Sequence, residues 1–137
     1  YLKKLNKKSS GYPIKIIESP EYKELLSLYS RAKIFWSASG FGVNEIKNPE
    51  KVEHFGITTV EAMAGGAVPI VYSAGGPKEI VRDGGNGFLW KSKAELLRKT
   101  TKIIEDREYW KVLSNRARKD SKVYDYEKFE TRVLEQL

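Results

Sequence analysis

The sequence predicts an α/β fold, a Rossmann-like parallel sheet with helices on both faces. Short apolar, β-branched runs alternate with stretches whose apolar residues recur at helical spacing, and parallel strands need such crossover helices. The chain has 137 residues, 40% of them hydrophobic, and no cysteine. We therefore expect one domain, residues 1–137, with an ordinary apolar core and neither disulfides nor Cys-based metal sites.

The first part of the chain predicts a basic helix, a strand, a second helix and a second strand. The first strand covers residues 12–19, which are β-branched and bounded by Gly11 and Pro20. The helix after it begins with Ser19 as N-cap and Pro20 at its first position. Its apolar face, expected to pack on the sheet, consists of Tyr22, Leu25, Leu26 and Tyr29. The next apolar run, residues 32–39, predicts a buried strand.

A polar stretch, residues 40–54, predicts a long loop, and loops of this length are often functional. The elements predicted after it are a helix at 56–65 that ends in Gly-Gly, a strand at 67–73, a short helix begun by Pro77 after a glycine turn, a strand at 87–90 and charged helices over 92–137. The apolar residues of those helices are Leu96, Leu97, Ile103, Ile104, Trp110, Val112, Leu113, Phe129, Val133 and Leu134. Four strands are few for such a sheet, so we expect part of it to lie outside this chain.

The net charge is +7, from 25 Lys and Arg against 18 Asp and Glu. The basic runs near both ends are typical of solvated helix faces, with an anionic membrane surface and nucleic acid as alternatives. No RNA-binding motif or reading helix lies between them, so no nucleic acid is expected as partner. No apolar run approaches the roughly 20 residues of a bilayer span, and no signal peptide opens the chain. We expect a cytoplasmic location, or a peripheral one at the inner face of the membrane.

Two acids, Glu53 and Glu61, flank the predicted start of the helix at 56–65. The first turn of a helix has free N–H groups at the positive end of the helix dipole, which suits a phosphate, and Gly56 lets a ligand approach closely. Threonines at 58 and 59 add hydroxyl donors. Carboxylates instead accept from hydroxyls, so the pattern favours a nucleoside diphosphate sugar, with ribose and sugar on either side of the phosphates. The alternative is that Glu61 only complements the dipole and Glu53 is a solvent-exposed charge.

The stretch "EHFGITTVEAMAGGAVPIV", residues 53–71, resembles the Glu-x7-Glu signature of the retaining GT-B glycosyltransferases of family GT4, the glycosyl transferases group 1. The downstream "AGGPKEIVRDGGNGFLW" and the upstream "SPEYKELLSLYSRAKIFWSAS" resemble flanking units of the same family. The resemblance covers roughly residues 14–92. It implies that the chain is the C-terminal, nucleotide-sugar-binding half of a two-domain enzyme, truncated at its N-terminus, whose missing N-terminal domain is a partner.

The resemblance also implies residue roles. Glu53 is the implied catalytic residue, because it would hold the sugar hydroxyls and stabilise an oxocarbenium-like transition state, and Glu61 would bind the ribose. The implied donor-sugar and phosphate ligands are His54, Phe55, Gly56, Ile57, Thr58 and Thr59. Backbone near Ser19 and Pro20 would face the nucleobase. His54 as a general base is disfavoured, since it occupies a variable position of the signature.

The family resemblance implies transfer from a UDP- or GDP-linked sugar to a hydroxyl acceptor with retention, without a tightly bound cofactor or a metal. The Arg and Lys that neutralise the pyrophosphate in this family have no recognisable counterpart before Tyr12. We therefore expect the isolated chain to transfer no sugar. Two alternatives remain: a nucleotide-sugar epimerase of GT-B fold, and a non-catalytic basic module that binds nucleic acid.

Overall fold

The computed structural model describes residues 1–125, in which helices and strands alternate between residues 22 and 105. The elements are α1 (Leu2–Ser9), α2 (Tyr22–Arg31), β1 (Ile34–Ser37), α3 (Ile57–Gly65), β2 (Val68–Tyr72), α4 (Pro77–Ile80), β3 (Phe88–Trp90), α5 (Lys93–Glu105) and α6 (Arg107–Ser121), with 3-10 turns at Pro49–Lys51 and Lys122–Tyr124. The predicted core residues Phe129, Val133 and Leu134 lie outside the described residues.

The three strands form one parallel sheet in the order β1-β2-β3. The side chains of β2 alternate between its two faces, as period-2 geometry requires. On one face, Ile70 packs with Ile103 of α5 and Leu113 of α6. On the other, Val71 packs with Met63 of α3 and Ile80, the last residue of α4. The predicted α/β class, with a parallel sheet covered by helices on both faces, is thus confirmed.

The strand predicted at residues 12–19 is wrong. The segment carries no regular secondary structure, and none of the three strands pairs with it. Ile14 is 60% exposed. β-branched residues favour a strand only where a neighbouring strand takes up the backbone hydrogen bonds, and the described residues supply none here. The sheet therefore has three strands in place of the predicted four.

The predicted start of the second helix is also wrong. Ser19 adopts a left-handed φ of 45°, and Glu21 is still extended at φ −60° and ψ 151°, so α2 begins at Tyr22 with Glu21 as its N-cap. Ser19 therefore lacks the extended backbone of an N-cap residue, and the helix does not begin at Pro20. Of the predicted apolar face, Tyr29 packs with Ala62 of α3 and Phe35 of β1, whereas Tyr22 and Leu26 are exposed.

The basic opening forms α1 as predicted, and none of its residues is buried. This helix therefore lies at the surface of the described part of the chain, with Lys7 and Lys8 in its last turn. Among residues 1–125, no helix combines the length and the apolar character needed to cross a membrane.

Candidate functional site

The signature segment, residues 53–61, leads from the loop after β1 into α3, so it lies at the carboxyl end of the parallel sheet, where such folds bind ligands. Gly56 is the N-cap of α3, with φ 103° and ψ 48°. This left-handed conformation suits glycine, and no side chain caps the helix. The predicted helix start is confirmed, and it lacks the side-chain acceptor that usually satisfies its first donors.

Five consecutive backbone amides at this helix start have no hydrogen-bond acceptor among residues 1–125. Within residues 1–125, no group accepts a hydrogen bond from the backbone N–H of His54, Phe55, Gly56, Ile57 or Thr58. The next two amides, of Thr59 and Val60, donate to the Gly56 carbonyl at 2.9 and 3.2 Å. Free N–H groups at the positive end of a helix dipole favour an anion.

The two threonines of the first turn differ in position. Thr58 is exposed, so its hydroxyl can reach a bound ligand. Thr59 is 1% exposed and belongs to the interior of the domain. The structure therefore brings the Thr58 hydroxyl, and not that of Thr59, to the surface beside the free amides.

Glu61 lies on α3 beside two tyrosines of α2. Its carboxylate accepts a hydrogen bond from the Tyr22 hydroxyl at 3.4 Å. Burial, and then the charge of Glu61, raise the pKa of Tyr29. Sequence analysis assigned Tyr22 to an apolar face and missed this contact. The signal was present in the spacing, since Tyr22 and Tyr29 are two helical turns apart on one side of α2.

The contact with Glu61 also locates the residues predicted for the nucleobase. Ser19 and Pro20 come just before Tyr22, so the start of α2 is brought towards the side of α3 that carries Glu61. Ser19 is exposed.

Glu53 is half-buried, and within residues 1–125 no group donates a hydrogen bond to its carboxylate. The backbone of this segment, by contrast, is fixed by hydrogen bonds. The Glu53 carbonyl accepts from Gly76 N–H at 2.9 Å, and the ring Nε2 of His54 lies 3.2 Å from the Pro49 carbonyl oxygen. His54 therefore tethers its own loop, while the Glu53 carboxylate remains available to a ligand.

The glycine pair before α4 supports this backbone. A Cβ at Gly75 would overlap the Glu53 carbonyl oxygen, and one at Gly76 would overlap that of His54. Both amides are occupied, since Gly75 N–H donates to Glu45 Oε2 at 2.9 Å and Gly76 N–H donates to Glu53. The pair is thus a close-packed turn into a proline-started helix, as the sequence predicts.

Comparison with known proteins gives consistent results. A family model described as glycosyl transferases group 1 matches residues 3–120. The chain is 32% identical over 99 residues to GDP-Man:Man(3)GlcNAc(2)-PP-Dol alpha-1,2-mannosyltransferase of Dictyostelium discoideum, a match that covers 72% of this chain and 19% of that protein.

Two solved structures share the fold. HepE of Anabaena in complex with UDP-glucose matches with a TM-score of 0.79 and 22% identity, over 99% of this chain and 36% of that one. The C-terminal domain of LpcC, a glycosyl transferase group 1 family protein of Francisella tularensis, matches with a TM-score of 0.67 and 22% identity, over 91% and 61%. The chain spans less than two thirds of each of these proteins. The match of the family model to residues 3–120 shows that the chain belongs to the glycosyl transferases group 1, family GT4. Its fold is that of the C-terminal half of a GT-B glycosyltransferase.

Proposed function

We propose that this chain, residues 1–137, is a nucleotide-sugar-binding domain and that the intact protein transfers the sugar to a hydroxyl acceptor with retention. The observation that carries the proposal is the run of five free amides at the start of α3, flanked by Glu53 and Glu61. In a family of glycosyltransferases, such a run suits the distal phosphate and the sugar of the donor.

The two acids take separate roles in this proposal. An ionised carboxylate only accepts hydrogen bonds, and its two oxygens suit neighbouring ring hydroxyls. Glu61, beside Tyr22 and the approach to α2, binds the ribose, and the backbone of Ser19 and Pro20 faces the nucleobase. Glu53, on the loop side of the amides, holds the sugar hydroxyls and stabilises positive charge in the transition state.

The free amides carry the electrostatic work at the phosphates. The N–H groups of His54 through Thr58 and the Thr58 hydroxyl bind phosphate and sugar oxygens, while Thr59 supports the turn from the interior. Fixed amide dipoles stabilise charge on a leaving phosphate without a metal ion. Within residues 1–125, the His, Asp and Glu side chains form no group of three that would hold one.

The relatives indicate which donors to test. HepE of Anabaena was solved with UDP-glucose, and the name of the Dictyostelium enzyme gives GDP-mannose as its donor. We infer a UDP- or GDP-linked hexose as donor. The basic groups for the pyrophosphate and the acceptor site are expected in the part of the enzyme that this chain does not include.

A binding experiment tests the proposal. We expect titration calorimetry of the chain with UDP, UDP-glucose, GDP and GDP-mannose to show binding of at least one nucleotide and of the corresponding nucleotide sugar. Glu61→Ala should weaken binding of that nucleotide by roughly 1–3 kcal/mol, the cost of losing a charged hydrogen-bond partner. Glu105→Ala, at the exposed end of α5, removes the same charge and should have no effect.

The outcome that contradicts the proposal is equally clear. If all four compounds fail to bind while a single-stranded polynucleotide binds tightly in moderate salt, the basic-module alternative replaces it. Incubation of the chain with donor and acceptor should yield no glycoside, because the chain spans only part of the length of its GT-B relatives. A cytoplasmic location, or a peripheral one at the inner face of the membrane, stays a prediction, and co-sedimentation with anionic vesicles can check the membrane contact.

A further inference from the structure

We propose that Glu45, in the loop between β1 and α3, is a positioning residue for Glu53 and so determines how tightly the domain holds the sugar part of its donor. The inference rests on the proposed function. Nothing in the sequence pairs Glu45 with a partner, since the residues it contacts lie 30 and 33 positions further along the chain.

Both oxygens of the Glu45 carboxylate are engaged, each by a different group. Oε2 accepts from Gly75 N–H at 2.9 Å, and Oε1 accepts from Lys78 Nζ at 2.7 Å. The Lys78 ammonium, and then the Gly75 amide, hold the pKa of Glu45 below its ordinary value. The carboxylate therefore joins the loop to the turn before α4 and to α4 itself.

This turn is also the support of Glu53. Gly76, the neighbour of Gly75, donates its N–H to the Glu53 carbonyl at 2.9 Å. The backbone of Glu53 and His54 lies so close to Gly75 and Gly76 that neither position has room for a Cβ. A displacement of the Gly75–Gly76 turn therefore also moves the Glu53 backbone, because the two segments are in close-packed contact.

The loop makes its own contact with the turn at a second point. A Cβ on Gly40 would meet Val52 at 3.0 Å and Ala74 at 3.4 Å, so the two ends of the loop and the residue before Gly75 are packed together. Glu45, in the middle of the loop, adds hydrogen bonds to Gly75 and Lys78 on the other side of this contact.

The ion pair contributes to position more than to stability. The side chains of Glu45 and Lys78 are 38% and 40% exposed, and pairs of this kind add little to the free energy of folding. Their effect is expected in the geometry of Glu53, which contacts the sugar in the proposed function, and not at Glu61, which contacts the nucleoside. Loss of the Glu45 carboxylate should therefore weaken the affinity for the nucleotide sugar and leave the affinity for the nucleotide nearly unchanged.

Titration calorimetry of the 137-residue chain with UDP-glucose and with UDP tests the inference, and GDP-mannose with GDP replaces them if the chain prefers that pair. Glu45→Ala is expected to weaken UDP-glucose binding roughly tenfold, the size of one lost charged hydrogen bond, and to change UDP binding less than about twofold. Glu45→Gln keeps an acceptor for Gly75 N–H and should recover part of the loss. Glu50→Ala, in the same loop and exposed, is the matched control and should bind both ligands as the unmodified chain does.

The outcomes are distinguishable. Equal weakening of UDP and UDP-glucose by Glu45→Ala, or no weakening of either, overturns the role of Glu45 and leaves the proposed function intact. Failure of the unmodified chain to bind nucleotides or nucleotide sugars overturns the proposed function and this inference with it. If Glu45→Ala does not fold by circular dichroism, Glu45→Gln carries the test, and a sugar-specific loss in that variant supports the inference.

Discussion

The starts of α3 and of the two C-terminal helices differ in how their first amides are satisfied. Ser92 accepts a hydrogen bond from Glu95 N–H at the start of α5, and Asp106 accepts from Tyr109 N–H at the start of α6. Gly56, at the start of α3, has no side chain to do this. In α5 and α6 a side chain thus satisfies one amide of the first turn, whereas within residues 1–125 no side chain does so in α3.

The difference shows where this domain gives up local stability. A glycine N-cap in place of Ser or Asp costs a helix roughly a few tenths of a kcal/mol, and the amides left free form an anion site only if other contacts fix them. In α3 those contacts come from Gly76, which bonds the Glu53 carbonyl, and from a helix whose Ala62 and Met63 are fully buried. The start of α2 also lacks a side-chain cap, and it lies on the side of α3 that carries Glu61.

The largest expected effect comes from removing the support of the uncapped helix start. Gly76→Ala places a methyl group against the carbonyl oxygens of His54 and Phe55, although the φ of −59° at Gly76 is open to any residue. The clash should cost roughly 1–3 kcal/mol in the free energy of unfolding, measured by urea denaturation. UDP-glucose binding should be lost as well.

The control for this variant is Gly85→Ala, whose methyl group meets Arg82 and not the signature backbone. It should leave UDP-glucose binding unchanged. Unaltered binding in Gly76→Ala would show that the glycine turn does not position the site.

A smaller effect is expected from removing the side-chain cap of α6, a helix to which the proposed function assigns no ligand. Asp106→Ala removes the acceptor of Tyr109 N–H and should destabilise the domain by about 1 kcal/mol in urea denaturation. Nucleotide binding should not change, because α6 starts away from the signature segment. A gain or loss of nucleotide affinity in Asp106→Ala would contradict the contrast between capped and uncapped starts.

The smallest effect is expected from pH. Because the folded-state pKa of Glu45 lies below its ordinary value, its contribution to stability is complete above that value and is lost as pH falls through the folded-state pKa. The difference in the free energy of unfolding between the unmodified chain and Glu45→Ala should therefore shrink on acidification below the ordinary glutamate pKa of 4.5. A difference that grows in acid would contradict the contact.

Local patterns were sufficient to predict much of the fold. The helices and strands predicted from α3 to β3 are all observed. Glycines bound α3, Pro77 begins α4, and β2 and β3 are short apolar runs. The segment at 12–19 shows the limit of such patterns. Its β-branched residues suit a strand, but a strand also needs a hydrogen-bonding neighbour, which no local pattern reveals.

The sequence alone determined the class of the fold, the family resemblance and the free helix start between two acids, because each depends on residues close together in the chain. Only the tertiary structure decided that Thr59 is interior, that Tyr22 reaches Glu61 and that Glu45 holds the turn that supports Glu53. These contacts join residues up to 39 positions apart. Their formation depends on how α2, α4 and the loop pack against α3, and no spacing within one segment encodes that packing.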